Sequence, residues 1–176
     1  MHKYLWVLAA LLLFSCKKYK DPNPFTDPRI VSPYCNDPSA VNYNWDFPGK
    51  PDNSVCIYPT DVIQGAYFYH DTIYNSTGDV IKRDSFTLNF SKIDTVHFTI
   101  QGFCTGTQSI SARATRYLLF SIDSLLGNGQ EYCGLDDTIM GKGKKYSIES
   151  SAPIKLEYQI QTDSGMVFHY GTAIKL

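Results

Sequence analysis

Apolar and polar residues alternate along most of the chain after Thr60. Such alternation gives each segment one apolar and one polar face, which is typical of antiparallel strands that bury one side. The clearest polar row contains Lys155, Glu157, Gln159 and Gln161. The apolar rows are Phe86, Leu88 and Phe90; Val96, Phe98 and Ile100; and Ile154, Leu156, Tyr158 and Ile160. This pattern predicts a chain built mainly from β-strands.

Turn residues separate these segments and set the predicted boundaries. We expect strands over 62–70, 79–90, 95–102, 110–113, 116–122, 138–142, 144–150, 153–161 and 166–176. Glycine-containing turns are predicted at 76–79, 127–129, 141–143 and 163–165. Strand, turn and strand in sequence order predict an all-β domain over 60–176. Its antiparallel meander would form either a small barrel or a two-sheet sandwich.

The N-terminus carries a charged start at Lys3 and an unbroken apolar run over 4–14. The run is too short to span a hydrocarbon core of about 30 Å, and it matches a removable secretory signal over 1–15. Its end, Leu13-Phe14-Ser15-Cys16, resembles the lipobox of bacterial lipoproteins. The resemblance implies cleavage before Cys16, lipidation of Cys16 and stable attachment to a membrane. The alternative is an ordinary secretory signal followed by an incidental cysteine.

Residues 16–34 are predicted to be a tether. Lys17, Lys18 and Lys20 follow the lipidated cysteine, and four prolines then favour extended, polyproline-like backbone. In lipoproteins of Bacteroidota type, acidic residues at these positions often signal export to the cell surface. The lysines therefore indicate an outer-membrane anchor that faces the periplasm, with the cell surface as the alternative.

The five cysteines divide into one lipid site and one even set. Without Cys16, the exported chain keeps Cys35, Cys56, Cys104 and Cys133, which allow three disulfide pairings. We favour Cys35–Cys56 and Cys104–Cys133, because each pair falls inside one segment of distinct composition. A four-cysteine zinc site is the alternative, and no two of these cysteines have its usual close spacing.

Residues 35–59 form a segment of their own, CNDPSAVNYNWDFPGKPDNSVCIYP. It resembles a short disulfide-closed module of secreted and lipid-anchored Bacteroidota proteins. The matching positions are Cys35, Asp37, Pro38, Ala40, Asn42, Tyr43, Asn44, Asp52, Ser54, Cys56 and Tyr58. The Asp and Asn side chains favour turns that satisfy nearby backbone amides. Ca²⁺ ligation by Asp37, Asn42, Asn44, Asp46 and Asp52 is the alternative, without an EF-hand spacing.

The β domain has a resemblance of its own. It opens with Ile63-Gln64-Gly65-Ala66-Tyr67 and continues to Gly141-Lys142-Gly143 and Lys155-Leu156-Glu157-Tyr158. This plan resembles small Bacteroidota lipoprotein domains, and it is similar to lipocalin-like domains, in which a tryptophan stands at the position of Tyr67. The resemblance implies a fold and a location, and it implies no chemistry.

Composition and motifs exclude several functions. The net charge is −1 and the basic residues form no stripe, so a nucleic-acid partner is not expected. The chain has no nucleophile-elbow, zinc-protease or phosphate-loop motif. His70, His97 and His169 remain after the signal, and pairing of the first and last strands would bring His70 and His169 near each other. Their spacing does not demand a metal.

Four Asp-(Ser/Thr)-aliphatic triplets resemble the O-glycosylation sequon of exported Bacteroidota proteins. The modified residues would be Thr72, Thr95, Ser124 and Thr138. The alternative is that aspartate ends a turn and threonine begins a strand, as β proteins repeatedly require.

The function predicted from the sequence is that of a lipid-anchored, monomeric envelope protein without catalytic activity or a cofactor. We expect an accessory or binding module for a glycan, a peptide or another envelope component. The alternatives are a purely structural envelope lipoprotein and a lipocalin-like carrier of a small apolar ligand. A large apolar cavity would favour the carrier, and a filled core would favour the structural role.

Overall fold

The computed structural model describes residues 28–104, 108–122, 129–134 and 136–176. Cys16, the predicted signal over 1–15, the tether over 16–27 and Ser124 lie outside the described residues. Within them, the chain forms a small N-terminal module followed by one antiparallel β-barrel. No helix in this part of the chain has both the length and the apolar character needed to cross a bilayer.

The module begins earlier than its first cysteine. Helix α1 (Pro28–Val31) is followed by strand β1 (Pro33–Tyr34), which pairs in parallel with β2 (Lys50–Pro51), and a 3₁₀ turn spans Asn53–Val55. The prediction that the tether stays an extended spacer up to residue 34 is therefore wrong for residues 28–34. Proline at the first helical position fits a helix, because the missing N–H would have no partner there.

A disulfide between Cys35 and Cys56 closes the module, as predicted. Its polar side chains cap turns. The Asp37 carboxylate accepts hydrogen bonds from the Ser39 amide at 2.9 Å and the Tyr58 hydroxyl at 3.0 Å. Asn42 donates to the Val55 carbonyl and accepts from the Ile57 amide, both at 2.8 Å. Asp37 thus forms a predicted turn, whereas Asn42 joins two parts of the module that lie 13 and 15 positions apart in the chain.

Helix α2 (Pro59–Ile63) connects the module to the barrel and replaces the predicted start of the first strand at residue 62. Pro59 begins the helix, and the Asp61 carboxylate accepts a hydrogen bond from the Tyr58 amide at 3.3 Å. Local capping thus overrides the strand preference of Val62 and Ile63, which the helix buries instead.

The remaining strands follow the sequence pattern with shifted ends. They are β3 (Gly65–Tyr74), β4 (Val80–Lys92), β5 (His97–Gln101), β6 (Ser109–Ala114), β7 (Leu119–Ile122), β8 (Gln130–Glu131), β9 (Thr138–Lys145), β10 (Ile154–Thr162) and β11 (Gly165–Lys175). Eight of them form a ring of antiparallel neighbours in the order β10-β11-β3-β4-β5-β6-β7-β9, and β9 pairs with β10 to close it. The all-β prediction is confirmed, and the barrel is the correct one of the two predicted architectures.

The barrel has two distinct ends. At the module end, β3 begins directly after α2, and the Leu176 amide donates to the Ala66 carbonyl at 3.0 Å. At the disulfide end, Cys104 after β5 is bonded to Cys133 after β8, which confirms the second predicted pair. The two loops that contribute these cysteines are thereby joined across the barrel mouth.

Side chains fill the barrel interior. Alternate strand residues point inward and pack with aromatic and aliphatic neighbours, except in the first half of β4 (residues 80–85), which is exposed. Buried Lys145 closes the module end, where its ammonium donates to the carbonyls of Ser150 at 3.2 Å and Ala152 at 2.6 Å. The larger core residues are Tyr67, Tyr69, Leu88, Phe90, Phe98, Ile100, Ile110, Phe120, Ile122, Ile139, Ile154, Leu156, Tyr158 and Ile160.

The predicted turn at 141–143 is wrong, because Gly141 and Gly143 lie inside the continuous strand β9. A Cβ atom on Gly143 would stand 2.0 Å from the Phe120 ring, and one on Gly141 would stand 2.6 Å from the Tyr158 Cβ. The glycines are therefore needed for close packing of aromatic residues from the neighbouring strands.

Candidate functional site

A polar cluster lies inside the barrel near the disulfide end. The carboxylate of Asp71, which is 3 % exposed, accepts hydrogen bonds from His169 Nδ1 at 2.7 Å, the Tyr158 hydroxyl at 3.2 Å and the Tyr69 hydroxyl at 3.3 Å. The Tyr158 and His169 rings, on directly opposed residues of β10 and β11, stack at 4.3 Å. Each carboxylate oxygen therefore has a partner, as a buried charge requires.

The cluster is built as part of the core. Burial, followed by the neighbouring Asp71 charge, raises the pKa of Tyr69 and Tyr158 above the usual range, so both hydroxyls remain donors. Phe103 covers the cluster with its ring 5.0 Å from that of Tyr158, and the Tyr132 hydroxyl donates to the Phe103 carbonyl at 3.4 Å. The geometry indicates a structural network that orders the barrel next to the Cys104–Cys133 bridge.

The histidines do not form one site. Strands β3 and β11 do pair, but His70 is exposed on the outer face while His169 is buried inside, so the expected approach of their side chains is wrong. His97 lies elsewhere and contacts Asp94 at 2.8 Å. Among the described residues, no group of three or more His, Cys, Asp or Glu side chains has the arrangement of a metal site.

A groove on the outer wall of the barrel is a better candidate for a binding site than the buried Asp71 cluster. A groove with a volume of about 480 Å³ crosses β6, β7, β9 and β10, and we call it the basic groove. Four cations border it while one carboxylate, that of Glu157, faces them. Its lining residues are Arg113, Thr115, Leu119, Phe120, Ser121, Lys142, Gly143, Lys144, Tyr146, Lys155 and Glu157.

Two of these cations face each other across the sheet. Lys144 and Lys155 are direct cross-strand partners in the β9–β10 register. Their ammonium groups lie 4.8 Å and 5.8 Å from the centre of the Tyr146 ring, whose side chain is 57 % exposed. Like charges placed directly opposite each other destabilise a sheet, whereas the Tyr146 ring attracts both ammonium groups and holds them at one place on the wall.

A second groove continues from the first along the same wall. It has a volume of about 440 Å³, and we call it the aromatic groove. The two grooves share Lys142 and Glu157, whose ammonium and carboxylate groups lie 3.5 Å apart. The aromatic groove is lined by Ile122, Met140, Gly141, Lys142, Glu157, Tyr158, Gln159, Phe168 and Tyr170.

The sequence pattern misses this surface. The glycines at 141 and 143 were interpreted as a turn, which places Lys142 and Lys144 on two different strands instead of on the one strand that pairs with β10. The basic residues also form no stripe in sequence, yet closure of the barrel brings Arg113 and three lysines to one groove. The lysines at alternate positions 142 and 144 are the signal that could have indicated an outward-facing cationic row.

The predicted modification sites are scattered. Thr72 lies within β3, Thr138 begins β9, and Thr95 lies in the loop between β4 and β5. In that loop, amide donation from Val96 and His97 lowers the pKa of the Asp94 carboxyl to about 2. Asp94 therefore has the turn role that was the alternative to glycosylation. Modification of the three threonines and of Ser124 stays a prediction.

Comparison of the chain with protein-family models, with curated proteins and with solved structures gave no match. The relationship to lipid-anchored Bacteroidota proteins therefore stays a prediction from the sequence.

Proposed function

We propose that this protein is a lipid-anchored, non-catalytic envelope protein whose barrel binds an acidic glycan in the basic groove. The single observation that carries the proposal is the Lys144–Lys155 pair, held directly opposite across β9 and β10. A sheet gains nothing from this repulsion, whereas a bound anion between the two ammonium groups would relieve it. Locally unfavourable arrangements of this kind are expected at functional sites.

The other lining groups favour a saccharide over a polyanion without hydroxyl groups. The Glu157 carboxylate would find hydrogen-bond donors on sugar hydroxyls, whereas the oxygens of ionised phosphate groups can only accept hydrogen bonds. The exposed Tyr146 side chain adds apolar surface and a hydroxyl that can hydrogen-bond to a sugar at the edge of the groove. Carboxylate and hydroxyl groups on one ligand would use the lysines, Glu157 and Tyr146 together.

Because side chains fill the barrel interior, we place the binding site on the outer wall. Tyr67, Tyr69, Phe98 and Leu88 are completely or almost completely buried inside the barrel. An apolar ligand of the lipocalin type would have to displace such side chains, which pack as tightly as an organic crystal. Binding on the wall needs no such rearrangement.

The proposed location follows from the sequence and fits the two disulfides. Cys16 would hold the lipid, and the lysines after it favour the periplasmic side of the outer membrane. Disulfides such as Cys35–Cys56 and Cys104–Cys133 form and persist in oxidising compartments, which include the bacterial periplasm. Replacement of Cys16 by Ser should release the protein from membranes while its thermal unfolding stays unchanged. A variant that stays membrane-bound after signal cleavage would contradict the anchor.

The glycan proposal is tested by calorimetric titration with polygalacturonate, an acidic polysaccharide, and with dextran, a neutral one. We expect binding of polygalacturonate alone, and roughly tenfold weaker binding by Lys155→Ala, since a hydrogen bond to a charged group contributes about 1.5–3 kcal/mol. Lys82→Ala is the matched control, because Lys82 lies on β4 at the opposite side of the strand order.

Ionic strength supplies a second measurement on the same ligand. Raising salt from about 0.01 M to about 1 M shortens the screening length from about 30 Å to about 3 Å and should weaken the complex. The proposal would be contradicted if dextran bound as tightly as polygalacturonate. It would also be contradicted if Lys155→Ala and Lys82→Ala lost the same affinity for polygalacturonate. Absence of any saccharide binding would favour the purely structural envelope role.

A further inference from the structure

The basic groove and the aromatic groove lie end to end on one wall of the barrel. Lys144, Lys142 and Met140 occupy successive outward positions of β9, so the path from Lys144 to Met140 runs about 13 Å at about 3.3 Å per residue. Lys142 and Glu157 border both grooves and mark where one passes into the other. A ligand that follows the strand direction would therefore contact both.

The positive charge decreases along the path from Lys144 to Met140. The basic groove brings together Lys144, Lys155 and Arg113. At the junction, Lys142 already has a carboxylate partner in Glu157 at 3.5 Å. Beyond the junction, the outward residues of the aromatic groove are uncharged.

The aromatic groove is suited to an uncharged ring that carries hydroxyl or amide groups. Gln159 lies directly opposite Phe168, and Glu157 lies directly opposite Tyr170, so a polar and an aromatic side chain stand together at each of two positions. Tyr170 is 45 % exposed and packs edge-on against Tyr74 at 5.5 Å, which holds its ring in place. Apolar walls with a few placed polar groups are typical of small-ligand sites.

From this gradient we infer that the two grooves form one continuous site for an extended oligosaccharide in which an acidic sugar alternates with a neutral one. The acidic sugar lies over Lys144 and Lys155, and the neutral sugar lies beside Gln159 and Tyr170. The inference rests on the proposed function and deepens it, because it specifies a chain that occupies both grooves. Joining two weak contacts on one ligand raises the affinity beyond either alone, since the second contact forms at high effective concentration.

The test compares three ligands on the full chain in neutral detergent by calorimetry. The probes are the monosaccharide galacturonate, the tetrasaccharide of galacturonate, and the tetrasaccharide of hyaluronan, in which glucuronate alternates with N-acetylglucosamine. We expect the hyaluronan tetrasaccharide to bind at least roughly tenfold more tightly than galacturonate, and more tightly than the tetrasaccharide of equal length that carries more charge.

Variants separate the two parts of the site. Tyr170→Ala and Gln159→Ala should weaken the hyaluronan tetrasaccharide roughly tenfold and leave galacturonate binding unchanged. Lys155→Ala should weaken all three ligands. Tyr117→Ala is the matched aromatic control, because Tyr117 is 64 % exposed and borders neither groove. Gln159→Ala keeps the test decisive if loss of the Tyr74 contact unfolds Tyr170→Ala.

The outcomes distinguish the two proposals. Equal affinity for galacturonate and the hyaluronan tetrasaccharide, with no effect of Tyr170→Ala or Gln159→Ala, would overturn the continuous site and leave the acidic-glycan site intact. Preference for the more highly charged galacturonate tetrasaccharide would overturn it as well. Binding of none of the three ligands would overturn both proposals. If polyglutamate or phosphatidylglycerol vesicles bound as tightly as the hyaluronan tetrasaccharide, charge attraction alone would explain the binding. That result would also overturn both proposals.

Discussion

Lys144 and Lys155 are direct cross-strand partners on β9 and β10, and both ammonium groups lie over the ring of Tyr146. Because like charges in this position destabilise a sheet, Lys155→Glu should raise the free energy of unfolding by about 0.2–1 kcal/mol while it removes anion binding. Urea unfolding at low salt measures the gain.

Lys155→Gln is the control for this variant. It removes the repulsion without adding an attraction, so its stability should fall between those of the parent and Lys155→Glu. The gain should also shrink as salt is added, because the side chains are exposed. A lower unfolding free energy for Lys155→Glu would show that the lysine pair does not strain the sheet.

The buried carboxylate of Asp71 should be among the most sensitive positions for stability. Asp71→Ala leaves His169 and Tyr158 without this acceptor, while Tyr69 keeps the Leu156 carbonyl, and each buried donor left unpaired typically costs about 1–3 kcal/mol. Asp84→Ala is the matched control, because Asp84 is the cross-strand partner of Asp71 but is exposed. Its effect should stay within about 0.5 kcal/mol. If chemical denaturation showed the same loss of unfolding free energy for Asp71→Ala and Asp84→Ala, the Asp71 network would not be important for stability.

Gly143 should tolerate no side chain while Phe120 is present. In Gly143→Ala the new Cβ would stand 2.0 Å from the Phe120 ring, and overpacking of a filled core typically costs about 1–3 kcal/mol. In a Phe120→Leu background, the same substitution should cost less, because the ring is gone. A double-mutant cycle by thermal unfolding measures the coupling, and strict additivity of the two changes would contradict the proposed contact.

The protein should lose stability in alkali through its buried tyrosines. Burial raises the pKa of Tyr67 to about 12, whereas an unfolded tyrosine titrates near pH 10. Since the unfolded chain releases this proton first, the stabilising contribution is complete below about pH 10 and is lost as the pH rises towards about 12. Urea midpoints measured across this range should fall.

Tyr67→Phe separates the contribution of this hydroxyl. Among the described residues the Tyr67 hydroxyl has no hydrogen-bond partner, so its removal should leave stability at neutral pH unchanged or higher. The decline between about pH 10 and about pH 12 should also become shallower. Tyr117→Phe, at an exposed position, should change neither quantity. A clear loss of stability at neutral pH in Tyr67→Phe would indicate that the hydroxyl is bonded after all.

Local alternation was sufficient to predict most of the strands and the all-β class. The apolar row Ile154, Leu156, Tyr158 and Ile160 is buried in the barrel, as its pattern predicts. Cysteine grouping was sufficient for both disulfides. Glycine was the main source of error, because Gly141 and Gly143 are typical of a turn but here leave room for the Cβ of Tyr158 and the ring of Phe120.

The candidate site depends on pairing that local sequence does not contain. Lys144 and Lys155 become neighbours only through the β9–β10 register, which closes the barrel. Asp71 appeared in the sequence as part of a modification triplet, yet its carboxylate reaches His169, which is 98 positions away in the chain. Contacts of this range are fixed by the closed topology, so alternation and turn signals cannot predict them.

The antiparallel pairing of β3 with β11 also determines where a tag fused after Leu176 would lie. The chain enters and leaves the barrel at one end, where the Leu176 amide bonds to Ala66, while the Cys104–Cys133 bridge lies at the other. A fluorophore or an immobilisation tag fused after Leu176 would therefore stand beside the module. The basic groove lies towards this same end, because Lys144 and Lys155 stand next to the strand ends Lys145 and Ile154, so a surface attached there should hinder it. The bridged mouth would stay accessible, and glycan arrays therefore need a label joined to Leu176 through a long flexible linker.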